Sequence, residues 1–269
     1  MNHLELSEIQ PLLTTCVFGR NLVLLPRVGS TNDVARDLAR EGAPEGTVVV
    51  ADEQTAGRGR LGRRWLAPPG TSLLCSILFR PNLPIPEIPR LTMLCSLAAA
   101  DAVEGVAGLP VGIKWPNDLV VEARIPDPEA RGWRKLAGLL AETGIVDERP
   151  DFAIVGVGIN VNVPPRILSE VAPNATSILA ETGRRADRAS LLAALLGESE
   201  ARYRQLRSGE SPHVEWSSRL ITLGRRVEAT VPDGVLVGVA EAVDEYGALL
   251  LRTSDGTLRR LTAGDVTLS

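Results

Sequence analysis

Gly57-Arg58-Gly59-Arg60-Leu61-Gly62-Arg63-Arg64-Trp65 sets three glycines and four arginines side by side with almost no apolar content. Such a run does not build a core. Glycine lets the backbone take positive φ and approach a ligand closely, and each arginine offers a planar fork of donors matched to carboxylate and phosphate oxygens. The stretch is expected to be an anion-gripping loop; the plainer alternative is a solvated surface loop. Two phosphate motifs are close in spacing and neither fits. Gly57-x-Gly59-x-x-Gly62 matches the dinucleotide fingerprint, and the interval from Gly57 to Gly62 approaches a Walker loop. Both need a helix next, which Pro68 and Pro69 oppose, and Arg63-Arg64 stands where a Walker loop carries Lys-Ser/Thr.

Upstream, the β-branched run 47–51 is a strand that delivers the chain into this loop. Before it, Ser30-Thr31-Asn32 precedes apolar residues at helical spacing, which predicts a helix ending near Gly42. These three either cap that helix or hold a polar ligand at its N-terminus. Leu22–Leu25 is a further strand, and residues 1–28 are too few for a helix-turn-helix, so no DNA-binding arm is expected.

Downstream, residues 71–79 predict a strand and 88–106 a buried helix with Met93 and Cys95 in the core. Residues 111–115 predict a strand that Pro116 ends, leaving Asn117 and Asp118 in a turn, where an Asp serves either backbone bonding or a site wall. Residues 122–133 are expected to be a mobile insertion. Residues 135–146 and 152–163 predict a hairpin joined through 147–151; Gly156, Gly158 and Asn160 interrupt its second strand, and glycine there marks close approach by a ligand or another backbone. A long helix over 187–206 and a shorter one over 214–220 follow. From Arg226 short alternating runs broken by Pro232-Asp233-Gly234, Tyr246-Gly247 and Asp255-Gly256 predict a small all-β domain of about five strands.

The 269 residues, 44% hydrophobic, suffice for one large domain with a small appendage. A net charge of −4 and only 3% aromatic content argue against a protein devoted to nucleic acid. Cys16, Cys75 and Cys95, widely spaced among apolar residues, predict reduced core cysteines rather than disulfides or a zinc site, and two isolated histidines build no metal centre or triad. Without a leader pattern or a long apolar run, the expected location is cytoplasmic, away from membranes. Of the 29 basic residues only Lys114 and Lys135 are lysine. Both stand in motif-like surroundings, where a compact ammonium can do what a guanidinium cannot.

The order Ser30-Thr31-Asn32, Gln54-Thr55-Ala56-Gly57-Arg58-Gly59-Arg60, Lys114-Trp115-Pro116-Asn117-Asp118-Leu119, Lys135-Leu136-Ala137-Gly138 and Gly156-Val157-Gly158-Ile159-Asn160 resembles the biotin protein ligases, or holocarboxylase synthetases, from about residue 26 to the C-terminus. The resemblance implies an α+β fold: a catalytic domain like that of class II aminoacyl-tRNA synthetases, a mixed sheet with helices, over 1–222, then a small SH3-like β-barrel over 223–269, in the form without an N-terminal DNA-binding domain. It implies an ATP-dependent ligase that makes biotinyl-5′-AMP and transfers biotin to a lysine of a biotin carboxyl carrier protein of acetyl-CoA carboxylase or related carboxylases. A monomer or weak homodimer is expected. Biotin and ATP would be substrates, with Mg²⁺.

By the same resemblance, Ser30, Thr31, Asn32 and Gln54 would read the ureido end of biotin. Arg58, Arg60 and Arg63 would meet phosphate oxygens, with Gly57 and Gly59 letting backbone amides close in. Lys135, beside Gly138, would lie between biotin's carboxylate and the α-phosphate. Lys114, Asn117, Gly156, Gly158 and Asn160 would line the adenylate side. Asp118 would orient and deprotonate the acceptor lysine, or organise Mg²⁺ or ribose. The rival within the fold is a lipoate or octanoate ligase, whose family does not show the Gly-Arg-Gly-Arg loop with Lys-Trp-Pro-Asn-Asp; outside it, the rival is a nucleic-acid-binding module.

Overall fold

Strict alternation along three neighbouring strands decides where a cavity can form. The computed structural model describes residues 3–123, 132–172, 174–231 and 234–268. Its strands are β1 (Leu22–Leu25), β2 (Val48–Ala51), β3 (Ser72–Phe79), β4 (Gly112–Lys114), β5 (Asp118–Ala123), β6 (Gly132–Val146), β7 (Arg149–Asn160), β8 (Arg226–Val231), β9 (Gly234–Val243), β10 (Leu249–Thr253), β11 (Leu258–Leu261) and β12 (Asp265–Leu268). Its helices are α1 (Leu6–Ile9), α2 (Thr31–Arg40), α3 (Pro89–Ala107), α4 (Pro165–Val171), α5 (Ile178–Thr182), α6 (Arg188–Arg207) and α7 (His213–Ser218).

The first seven strands form one mixed sheet in the order β1-β2-β3-β7-β6-β5-β4. Only β1 and β2 run parallel, joined across by α2; the other neighbours are antiparallel. Leu73, Cys75, Ile77 and Phe79 of β3 and Ala153, Val155, Val157 and Ile159 of β7 enter the main apolar core with α3 and α6. The alternate residues Leu78, Phe152 and Ile154 pack under Ala35 and Ala39 of α2 on the other face. Because side chains alternate, Ser76, Gly156 and Gly158 share that α2 face and lie just beyond the helix N-terminus. There the strand carries glycine where it carried Phe and Ile, so the sheet surface is bare.

The hairpin differs from its expected form. β7 begins at Arg149, and the turn is only Asp147-Glu148, both left-handed with φ 47° and 62°, the geometry a two-residue connection requires. Asp118 is not in a turn: it is the first residue of β5, in register with Lys114 and Gly138. Residues 124–131, most of the expected insertion, lie outside the described residues, and its ends belong to β5 and β6. Cys75 and Cys95 are buried as expected, but Cys16 is exposed, because the loop holding it is tied to α6 by backbone bonds and not by its thiol. Burial raises the Cys75 thiol to about 12, which keeps it protonated and inert.

The last five strands form a separate antiparallel sheet in the order β11-β10-β9-β8-β12, the small SH3-like unit. Its core residues Val227, Ala229, Ala240, Leu249, Leu251 and Val266 join Met93 and Leu97 of α3 through Trp115 and Trp216. Among the described residues no helix is long and apolar enough to cross a membrane.

Candidate active site

A cavity of about 200 Å³ opens on the α2 face. One end is polar. Asn32 Oδ1 lies 2.3 Å from the place a Cβ on Gly156 would take, so this glycine is what admits the Asn32 amide. Ser76 Oγ donates to Asn32 Oδ1 at 2.6 Å, and Thr31 Oγ1, 2.8 Å away, shares the same proton. Gln54 Oε1 accepts from Thr31 N at 2.7 Å and Thr31 Oγ1 at 3.1 Å. Ser30, at the N-cap, makes no side-chain capping bond, which leaves the plain capping role unused, and its buried hydroxyl lines the cavity. Thr31, Asn32 and Gln54 thus form a preset array of donors and acceptors, held by one another and by Ser76, with the Ser30 hydroxyl beside it.

The other end is cationic. Lys135 Nζ sits 2.7 Å from Asp118 Oδ1, with both residues on the cavity wall beside Gly138. A Cβ at Gly138 would come within 3.1 Å of Lys135 Nζ and 3.3 Å of Trp65, so the position takes glycine to leave room for both. The Trp65 indole covers the bare backbone of Gly158, where a Cβ would lie 2.8 Å from its ring, and the Lys135 ammonium stands 5.9 Å from the ring centroid. The close approach that the strand glycines mark is therefore made by two side chains, Asn32 and Trp65.

The glycine–arginine stretch folds as a tight loop. Gly59 N donates to Arg63 O at 2.7 Å and Trp65 N to Gly57 O at 2.9 Å, while Leu61 and Gly62 turn the chain with positive φ. Its arginines are not equivalent. Arg58 pairs with Asp33, and Arg63 Nη2 meets Asp265 Oδ2 at 2.5 Å, a carboxylate contributed by the C-terminal sheet. Burial opposes the Asp265 charge and is outweighed by the Arg63 hydrogen bond with Lys114 and Lys135 nearby, so its carboxyl is held below its usual range. Arg60 has no ion-pair partner among the described residues. Its Nη1 lies 3.4 Å from Asn117 Oδ1, and burial pushes its pKa down against the pull of Asp118 and Asp265. A half-desolvated guanidinium of this kind favours an anionic ligand.

Asn160 lines the wall but spends its amide on structure: Nδ2 donates to Thr176 O at 3.0 Å. Lys135 N and O pair with Asn174 O and Thr176 N, both at 2.8 Å, so the 174–176 strap crosses the cavity beside the key lysine. Leu168, Ala172 and Ala175 close that side. Gly57 and Lys114 fall outside the lining. Gly57 instead gives room to Trp65 O, 2.8 Å from a would-be Cβ, and Lys114 places its charge near Asp265.

Five contributors escaped the sequence reading: Asp33, Ser76, Glu142, Asp265 and the strap. Glu142 was findable, since alternation from Gly138 through Leu140 aims it at the same face. Asp265, more than two hundred residues from Arg63, left no local signal.

For Mg²⁺ the lining offers two carboxylates, Asp118 and Asp265, already engaged by Lys135 and Arg63, and no three potential ligands gather among the described residues. A resident metal does not fit; Mg²⁺ belongs with a triphosphate substrate, which brings most of its ligands.

Residues 24–160 match the biotin/lipoate A/B protein ligase family, and 222–269 match the biotin protein ligase C-terminal domain. The chain is 36% identical to the bifunctional ligase/repressor BirA of Bacillus subtilis, over 97% of this chain and 78% of that protein. It is 36% identical to the biotin–[acetyl-CoA-carboxylase] ligase of Mycobacterium tuberculosis, over 92% and 88% respectively. Its fold matches the Aquifex aeolicus biotin protein ligase in complex with biotin and ATP, with TM-score 0.74, 29% identity, and coverage of 93% of this chain and 99% of that one.

Proposed function

This chain belongs to the biotin protein ligases, and from that premise we propose how its cavity carries the reaction. It is an ATP-dependent ligase that joins biotin to a lysine of a carboxyl carrier protein through biotinyl-5′-AMP. In the first half-reaction a biotin carboxylate oxygen attacks the α-phosphorus of MgATP and pyrophosphate leaves. In the second the carrier's ε-amine attacks the acyl carbon and AMP leaves.

One observation carries the assignment of ends: a preset neutral array at Ser30, Thr31, Asn32 and Gln54 faces a cationic wall at Lys135 and Arg60 across a single small cavity. The ureido group of biotin matches the array, and an analogue lacking those groups would leave buried donors unpaired. Its carboxylate then extends toward Lys135, whose mobile point charge follows the negative charge from carboxylate to α-phosphate. Arg60 offsets the repulsion between two anions. Asp118 holds Lys135 in place and lies where an incoming ammonium must give up a proton before it becomes a nucleophile. The engagement of Asp118 by Lys135 favours this role over metal binding.

Division at residue 222 into a catalytic unit and a C-terminal unit is part of the same reading, supported by the start of β8 at Arg226. So are a cytoplasmic setting, where ATP and reduced thiols coexist, and a monomeric or weakly dimeric state. Biotin-dependent ATP–pyrophosphate exchange, followed by transfer of labelled biotin to a carboxyl carrier domain, is the test. Exchange driven by lipoate or octanoate and not by biotin would overturn the assignment.

A further inference from the structure

Asp33 and Glu142 belong to no motif of the loop, yet they hold it. Arg58 lies fork to fork on Asp33, Nη1 donating to Oδ2 at 2.7 Å and Nη2 to Oδ1 at 2.6 Å, and Nη2 also reaches Glu142 Oε1 at 3.4 Å. One turn along α2, Arg36 donates to Asp33 Oδ1 at 2.7 Å and to Glu142 Oε2 at 2.5 Å. Glu142 Oε2 accepts in addition from Asn32 Nδ2 at 3.2 Å. Two carboxylates and two guanidiniums thus close a charge-balanced ring between α2, β6 and the loop. Hydrogen bonding from Arg58 holds the Asp33 carboxyl below its usual range, and the Arg58 guanidinium is raised in turn. Bidentate geometry fixes direction as well as charge. Arg60, two residues further on, is bound by no such carboxylate among the described residues, so the two arginines of one short loop have different work.

We propose that Asp33 and Glu142 are positioning residues for the ligase reaction: they latch the Arg58 end of the loop over the cavity and, through Glu142, fix the Asn32 amide, leaving Arg60 to face the anionic intermediate. Arg58 serves closure of the loop and not phosphate binding. Glu142 links the two ends of the site, since it touches both the loop's arginine and the amide that meets the ureido group. The inference rests on the ligase reading for what the latch retains. It rests on geometry alone for the latch itself. The pair is partly exposed, so water and salt weaken it, and the effects are moderate and salt-sensitive.

Two measurements test it: trypsin cleavage after Arg63 and Arg64, mapped by mass without turnover, and the rate at which biotinyl-5′-AMP made from biotin and MgATP is released. Asp33→Ala, Asp33→Asn and Arg58→Ala are each expected to speed cleavage and release by about three- to tenfold. The Asp33→Ala/Arg58→Ala double variant should lose clearly less than the two single effects multiplied together, because both break the same pair, which two independent structural roles would not predict. Unchanged cleavage and release in Asp33→Ala overturns the latch. So does an Arg58→Ala variant whose KM for MgATP rises while that of Asp33→Ala does not, because Arg58 would then bind phosphate. Should Asp33→Ala fail to fold, the isosteric Asp33→Asn and Glu142→Gln carry the same test. Cleavage is read without catalysis, so a missing biotin-dependent exchange in the unaltered protein would sink the ligase reading separately from the latch.

Discussion

Lys135 combines three constraints at one atom: its ammonium touches Asp118, faces the Trp65 ring and lies 3.1 Å from the space a side chain at residue 138 would fill. A guanidinium is larger, planar and fixed in direction, so keeping the charge does not keep the fit. Lys135→Arg should lower biotin-dependent pyrophosphate exchange by about tenfold or more; near wild-type exchange would show that charge alone suffices. Asp118→Ala should slow transfer to the carrier more than adenylate formation, as seen when the two half-reactions are assayed apart, and equal loss in both would remove its proton-accepting role. At the polar end, Gly156→Ala drives a methyl to 2.3 Å from Asn32 Oδ1. The amide must leave Ser76 and Leu140 O, so the KM for biotin should rise about tenfold or more, together with a drop in melting temperature from the lost hydrogen bonds. A loss confined to stability would assign the glycine to packing.

At the level of elements, α6 does more than cover the sheet. Glu200 on its buried side accepts hydrogen bonds from the backbone N–H groups of Cys16, Val17 and Phe18, so one carboxylate fastens the N-terminal loop that leads to β1. Burial works against its charge, and the backbone donors with Arg204 outweigh it, leaving the carboxyl below its usual range. A depressed carboxyl stabilises the fold fully above its unfolded value and loses that contribution as pH falls through the folded one. Denaturation midpoints followed by circular dichroism should therefore drop below about pH 4.5 in the natural protein, and Glu200→Gln, weaker at neutral pH, should flatten that drop. An equal acid response in both would clear Glu200. The long elements were legible: β2, β3, α3 and α6 each carry a mainly apolar buried pattern, interrupted at Ser76 in β3 and at Ser199 and Glu200 in α6. The loop's place on the cavity wall was legible too, through the chemistry of Gly and Arg. The Glu200 clasp was not, because a carboxylate that binds backbone N–H groups leaves no trace in the residues it binds.

The whole molecule is tied together through residues that sequence spacing does not connect. Met93 and Leu97 of α3 share a core with the C-terminal sheet, and Trp115 and Trp216 fill the space between. Trp115 N donates to Thr222 Oγ1 at 3.0 Å and its Nε1 to Gly247 O at 2.9 Å, so the motif strand that leads to Asp118 is fastened on the C-terminal side. Arg63 and Asp265 add a second tie, from the loop over the cavity to β12. Apolar continuity of this kind leaves no plane along which the small unit could melt alone, since parting the two would expose both indoles to water. Chemical unfolding should then be a single transition, coincident by tryptophan fluorescence and far-UV circular dichroism. Trp216→Ala should lower its free energy by about 3–5 kcal/mol without splitting it. Because Trp216 Nε1 is buried without a partner among the described residues, Trp216→Phe gives up volume but no hydrogen bond to them, and should cost clearly less than the alanine variant. An early transition belonging to the C-terminal sheet alone, with exchange activity surviving it, would mean that the shared core is contact without coupling and that Asp265 has no hold on the loop.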